Sequence, residues 1–148
     1  MSELVLHLAN HLSEIRRLVD ELDRFGREVG LSTDVSFKLT LALDEVVSNV
    51  IRHAFEPGSD GRVHVRVSYA GGIVTAVIAD AGPPYDPRET PPPKIDVPIS
   101  ERRPGGLGVY LVRTLMDSVD YRRDNGENIV TLTLKNAPEP EASTPDVV

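Results

Sequence analysis

The sequence predicts an α+β fold, a two-layer α/β sandwich with helices on one face of a mixed, mostly antiparallel sheet. Three observations predict it. Segments 3–9, 62–69 and 72–80 have the alternation or β-branched content of strands, and the last two are joined by the hairpin signal Ala70-Gly71-Gly72. Segments 13–29 and about 34–55 instead carry apolar residues at helical spacing. Two further strands, about 118–123 and 128–135, flank Asp124-Asn125-Gly126, and nothing repeats.

The elements justify themselves in order. MSELVLHLAN alternates as a strand does and has no signal-peptide character. In the first helix Ile15, Leu18, Val19, Leu22, Phe25 and Val29 share one face, and Gly30 ends it. Ser32 to Asp34 supply a cap for the second helix. Within it, LALDEVVSNVIRHAF presents Leu39, Ala42, Leu43, Val46, Val47, Val50 and Ile51 as hydrophobic surface, interrupted on one side by Glu45, Asn49, Arg52 and His53. Four residues make about one helical turn, so Glu45 and Asn49 lie one above the other. Burying either without a partner costs on the order of 1–3 kcal/mol, so beside so much apolar surface both need a partner or a task.

Val63, Val65 and Val67 alternate in the next strand, and GIVTAVIADAGPPYDP then delivers Asp80 and Gly82 to the end of another, where a turn must begin. Segment 83–104 holds eight of the chain's twelve prolines, which favours extended polyproline conformations and excludes a helix. RRPGGLGVYLVRTLMD opens the last helix, with Leu111, Val112, Leu115 and Met116 on helical spacing. Glycines at 105, 106 and 108 let backbone approach a ligand closely, and the first amides of a helix point at any anion in front of them. That pattern suits phosphate.

The order of these pieces, a helix with Glu and Asn, a strand ending Asp-Ala-Gly, a proline-rich loop, then Gly-Gly-Leu-Gly and a helix, resembles the Bergerat ATP-binding fold. In the resemblance DEVVSNVIRHAF is the N box, Asp80-Ala81-Gly82 the first glycine box and Gly105-Gly106-Leu107-Gly108 the second. Within that superfamily the chain is similar to the stand-alone anti-sigma-factor serine kinases, over about residues 4–135. The resemblance implies ATP and Mg²⁺ as cofactors, Asn49 as the Mg²⁺ ligand, Asp80 as acceptor of the adenine amino group and Gly82 as the turn beside the base. It implies Gly105, Gly106, Leu107 and Gly108 at the phosphates and Glu45 as general base. Arg52 and His53, one turn after Asn49, are further candidates for phosphate contact. Segment 83–104 corresponds to the ATP lid, whose closure would carry Arg102 and Arg103 to the phosphates. Related chains have Gly-Thr near the start of the last strand, with the Thr helping to hold adenine. Here GENIVTLTLK leaves Asn128 or Thr131 to substitute.

The implied activity is phosphorylation of a small antagonist protein on serine or threonine by a kinase that also binds a sigma factor or an equivalent regulator, with a homodimer among its assemblies. The alternative is a non-catalytic ATP-gated binding module. At 148 residues and net charge −7 the chain is expected to be one domain over 1–135, followed by an acidic, proline-containing, disordered tail over 136–148. No broad basic face for nucleic acid is implied. The absence of cysteine excludes disulfides and thiolate metal sites, and no apolar run reaches the roughly 18 residues of a membrane span, so a cytoplasmic protein is expected. His11 lacks the separate helical hairpin of a histidine phosphoacceptor, and His7 and His64 read as surface residues in alternating strands.

Overall fold

A computed structural model of the chain describes residues 2–53, 61–89 and 106–136, with backbone alone for 106–109. Strand β1 (Ser2–Ala9) is followed by helices α1 (Glu14–Val29) and α2 (Thr33–His53), and a hairpin then pairs β2 (Arg62–Ala70) with β3 (Ile73–Asp80). Pro87–Glu89 form a single 3₁₀ turn, helix α3 spans Gly106–Leu115, and β4 (Ser118–Asp124) and β5 (Glu127–Lys135) make the last hairpin. The sheet order is β1-β2-β3-β5-β4 and all four pairings are antiparallel, so the sheet holds no parallel pair among the described residues.

Side-chain parity along the strands decides which face is buried. Leu4, Leu6 and Leu8 of β1, the odd valines 63 to 67 of β2, Val74, Ala76 and Ile78 of β3, and Val130, Leu132 and Leu134 of β5 all lie in one buried layer. Helix α2 covers β2, β3 and β5 from that side, and α1 packs on β1 and α2. Their contributions to the same core are Leu18, Leu22 and Phe25 from α1 and Leu39, Leu43, Val46, Val47 and Ile51 from α2. Gly30 ends α1 in the left-handed region at φ 82°, its N–H donating to the Gly26 carbonyl. Ser32 Oγ accepts the Val35 N–H at 3.1 Å and so caps α2. Gly71 and Gly72 both have positive φ, which the two-residue β2–β3 turn requires.

Three expectations change. Leu111 is 37% exposed, because α3 and the residue after it turn Val112 and Met116, one turn apart, into the core with Leu115 packed beside them. The proline-rich segment begins with a 3₁₀ turn, which Asp86 caps by accepting the Arg88 N–H at 2.9 Å. Asn136 is bonded into the domain: its Oδ1 accepts the Ser32 N–H at 2.9 Å and its Nδ2 donates to the Tyr69 hydroxyl at 2.9 Å. The expected tail from 137 onward lies outside the described residues, as do 54–60 and 90–105. No helix among the described residues is long and apolar enough to cross a membrane.

Candidate functional site

The buried stripe of the sheet ends in two polar residues. Asp80 continues the parity of Val74, Ala76 and Ile78, and Asn128 that of Val130, Leu132 and Leu134, so strand geometry turns both toward the helices. They face each other across the β3–β5 ladder, and each is only 3% exposed. A carboxylate so placed needs donors. Asp80 Oδ1 accepts the Gly82 N–H at 2.9 Å and the Asn128 Nδ2 at 3.1 Å. Gly82 is not among the residues with positive φ. The turn is held by these bonds and by Arg123, whose Nη1 donates to the Gly82 carbonyl at 2.7 Å.

Asn128 is a hub. Its Nδ2 also donates to the Pro83 carbonyl at 2.8 Å, while its Oδ1 accepts the Tyr121 hydroxyl at 2.7 Å and the Tyr85 N–H at 3.2 Å. Helix α2 completes the enclosure from the other layer. A cavity of about 180 Å³ is lined by Val46, Asn49, Val50 and His53 of α2, by Asp80, Pro83, Pro84, Tyr85 and Pro87, and by Asn128 and Val130. It falls short of the roughly 300–1,000 Å³ of pockets that swallow a whole drug-sized ligand. A flat base fits such a slot, with the rest of a nucleotide left outside. Its walls combine aliphatic side chains and proline rings with Asn49, His53, Tyr85 and Asn128 around one buried carboxylate, a chemistry suited to an aromatic ring bearing an amino donor.

Of the residues singled out in the sequence, the structure brings Asn49, His53, Asp80 and Asn128 into one cavity, with Gly82 bonded to its edge. Thr131 is not brought there. It lies one residue out of phase with Asn128 and Val130, opposite Val77 and Asp120 on the sheet face away from the helices, so parity keeps it out of this cavity. Arg52 is exposed at the end of α2 and does not line the cavity. Glu45 stands half-buried one turn before Asn49, also outside the lining. Burial pushes its pKa up, the Asp44 charge adds to this, and Arg52 opposes both. Gly106, Leu107 and Gly108 form the first turn of α3, so their amides open a helix of ten residues. Gly105, Arg102 and Arg103 lie outside the described residues.

His11 precedes α1 and is exposed, and His7 and His64 form an edge-to-face cross-strand pair, with Nδ1 atoms 2.6 Å apart. Tyr85, Tyr121 and Arg123 belong to the site's network and were not anticipated from the sequence. Only the parity of Asp80 and Asn128 with their apolar neighbours could have pointed there, since two polar residues at the buried end of paired strands must be bonded to something.

The profile of the family described as histidine kinase-like ATPase domain matches residues 8–134. The chain is 37% identical over 108 residues to the serine/threonine-protein kinase BtrW of Bordetella bronchiseptica, a match covering 73% of this chain and 76% of that one. It is 26% identical over 130 residues to the serine-protein kinase RsbW of Listeria innocua, covering 85% and 83% of the two chains. Among solved structures, a chain of RsbU and RsbW domains from Mycobacterium tuberculosis superposes with a TM-score of 0.67 at 20% identity, over 91% of this chain and 32% of that longer one. The catalytic domain of the histidine kinase ThkA gives 0.52 at 16% identity, over 94% of this chain and 100% of that one. At such identities these likenesses concern the fold alone, and they agree with the open antiparallel sheet and its helical layer. The match over most of the sequence and the close serine/threonine-protein kinase relative carry the conclusion that the chain belongs to the histidine kinase-like ATPase family.

Proposed function

We propose that this protein serine/threonine kinase binds Mg-ATP, transfers the γ-phosphoryl group to a serine or threonine of a small antagonist protein, and acts in the cytoplasm as an anti-sigma factor. The observation that carries the reading is Asp80, 3% exposed and held at Oδ1 by two donors, on the wall of a slot that also receives Asn49. Such a carboxylate is an oriented acceptor suited to the exocyclic amino group of adenine. The family's ATPase character and the protein kinases among the relatives support the nucleotide and the transfer.

Placement supports the remaining proposed roles. Asn49 carries a hard amide oxygen and reaches the slot from α2. Among the described residues no group of three or more His, Cys, Asp and Glu side chains could hold a metal ion alone, so Mg²⁺ would be shared between Asn49, the phosphates and water. Bound there it would neutralise phosphate charge. The opening amides of α3, at Gly106 to Gly108, are the anion site. Glu45, on the same face of α2 as Asn49, accepts the proton of the attacking hydroxyl, and its raised pKa makes it a better base than an ordinary glutamate. Phosphoryl transfer asks for little more than this positioning and charge neutralisation.

The test combines ligand-dependent unfolding with a transfer assay. A ligand that binds the native state alone adds about 2.7 kcal/mol of stability at about 100 times its Kd. Mg-ATP should therefore raise the melting temperature, and Asn49→Ala should remove most of the Mg²⁺-dependent part of that shift. No shift with wild-type protein at millimolar Mg-ATP would overturn the nucleotide reading. Binding without transfer to any antagonist protein offered would leave an ATP-gated module.

A further inference from the structure

The Asn128 amide has no hydrogen-bonding capacity left for a ligand. An Asn side chain offers two N–H donors and a carbonyl with two lone pairs. Both donors are spent, on Asp80 Oδ1 at 3.1 Å and the Pro83 carbonyl at 2.8 Å, and both lone pairs are taken, by the Tyr121 hydroxyl at 2.7 Å and the Tyr85 N–H at 3.2 Å. These partners come from three parts of the chain: the end of β3, the edge strand β4, and the first residues of the segment leading toward Gly106. A residue that only held the base would keep one donor or acceptor facing the slot. A threonine hydroxyl at this position, with its single donor, could not hold the carboxylate and the Pro83 carbonyl together.

We infer that Asn128 is a positioning residue that locks the Asp80 carboxylate and the root of the proline-rich segment, residues 82–85, into one rigid unit, so that base affinity and the placement of that segment depend on the same side chain. Arg123, donating to the Gly82 carbonyl at 2.7 Å, braces the unit from the same edge strand. The inference rests on the reading of Asp80 as the base acceptor. Holding Oδ1 with two donors fixes which oxygen the carboxylate presents to the slot.

The decisive variant is Asn128→Asp, which keeps shape but replaces the donor facing Asp80 by an acceptor. Two carboxylates at that distance repel, so the pair takes up a shared proton more readily than a lone carboxylate as pH falls. ADP and ATP affinity should fall roughly ten- to a hundred-fold near pH 8, as for a lost hydrogen bond to a charged group, and recover as pH falls and the shared proton restores a donor between the two. His53 lines the same slot, so the wild-type pH profile is the control. Hydrogen exchange supplies the second measurement, since the Tyr85 amide should be protected in nucleotide-free wild type and lose that protection in Asn128→Ala. Tyr121→Phe removes one hydroxyl from an edge strand and leaves the core intact, and it should reproduce a several-fold part of the affinity loss. Wild-type affinity and an unchanged Tyr85 amide in the variants would overturn the inference, as would a loss in Asn128→Asp that is the same at every pH. Failure of the wild type itself to bind Mg-ATP would strike instead at the reading of Asp80.

Discussion

The two sides of this site, proposed to meet the base and the phosphates, are built on opposite principles. At the base, Asp80 and Asn128 are buried and bonded to each other and to Gly82, Pro83, Tyr85 and Tyr121. One turn of helix away from Asn49, Glu45 is half-buried next to Asp44, and its environment disfavours the ionised form. The first arrangement is satisfied before any ligand arrives. The second holds a carboxylate at a cost, which keeps it basic. In the proposed reading, recognition is preorganised in a network, whereas the chemistry is left unquenched until a hydroxyl and a phosphate meet it.

The strongest way to break that comparison is Glu45→Gln, which keeps size and hydrogen-bonding shape but cannot take a proton. If the two sides are separate, phosphoryl transfer should drop by about 10² to 10⁴, the range of general base catalysis, while nucleotide affinity stays near wild type. Single-turnover transfer beside equilibrium ATP binding measures both. An affinity loss as large as the rate loss would mean that Glu45 belongs to the binding network after all, and undiminished transfer would place the base elsewhere.

The same division explains what could be read from the sequence. The five strands and three helices were legible, most of them because they bury a stripe that repeats every second residue or every turn, and α2 shows Val46, Val47 and Val50 buried beside the half-buried Glu45 and Asn49, whereas β4 at the sheet edge buries no residue. Asp80 and Gly82 were legible because a turn must follow a strand. The clasp around Asn128 was not. Tyr121 lies seven residues away and Tyr85 forty-three, and contacts across a sheet leave no local mark in a chain. Placing Asn128 rather than Thr131 on the cavity wall needed only parity, Asn128 sharing the phase of Val130 and Leu132. Leu111 shows the converse limit: spacing places it near a helical face, but whether that face meets the core depends on how α3 docks.

A smaller effect sharpens the phosphate side. Arg102 and Arg103 lie outside the described residues, in the segment whose root Asn128 holds. If that segment closes over bound nucleotide, the two guanidiniums meet the γ-phosphate, the added charge that distinguishes ATP from ADP. Replacing both by alanine should weaken ATP by roughly five-fold, the worth of about 1 kcal/mol for partly exposed pairs, and ADP by less. A non-hydrolysable ATP analogue should also slow proteolysis within 90–105 in wild type more than in the double variant. Equal losses for the two nucleotides would leave the arginines as ordinary surface charge.

The smallest expected effect tests whether Glu45 is held at a cost. Its folded-state pKa is raised above the ordinary glutamate value, first by burial and then by Asp44. Between those two values the native state binds more protons than the unfolded chain, so stability falls as pH rises through that window and the loss persists above it. A glutamine at this position does not titrate in either state and escapes the penalty. Glu45→Gln should therefore be slightly more stable than wild type at neutral pH, with the advantage shrinking as pH falls toward the ordinary glutamate range. Denaturant unfolding of the two proteins across that range measures the difference. The acid limb of wild-type transfer should likewise lie above the pH at which a solvent-exposed glutamate protonates, because the base is lost as pH falls through the raised value. A variant less stable than wild type at neutral pH would show that the ionised carboxylate is satisfied where it stands, and the contrast between the two sides of the site would disappear.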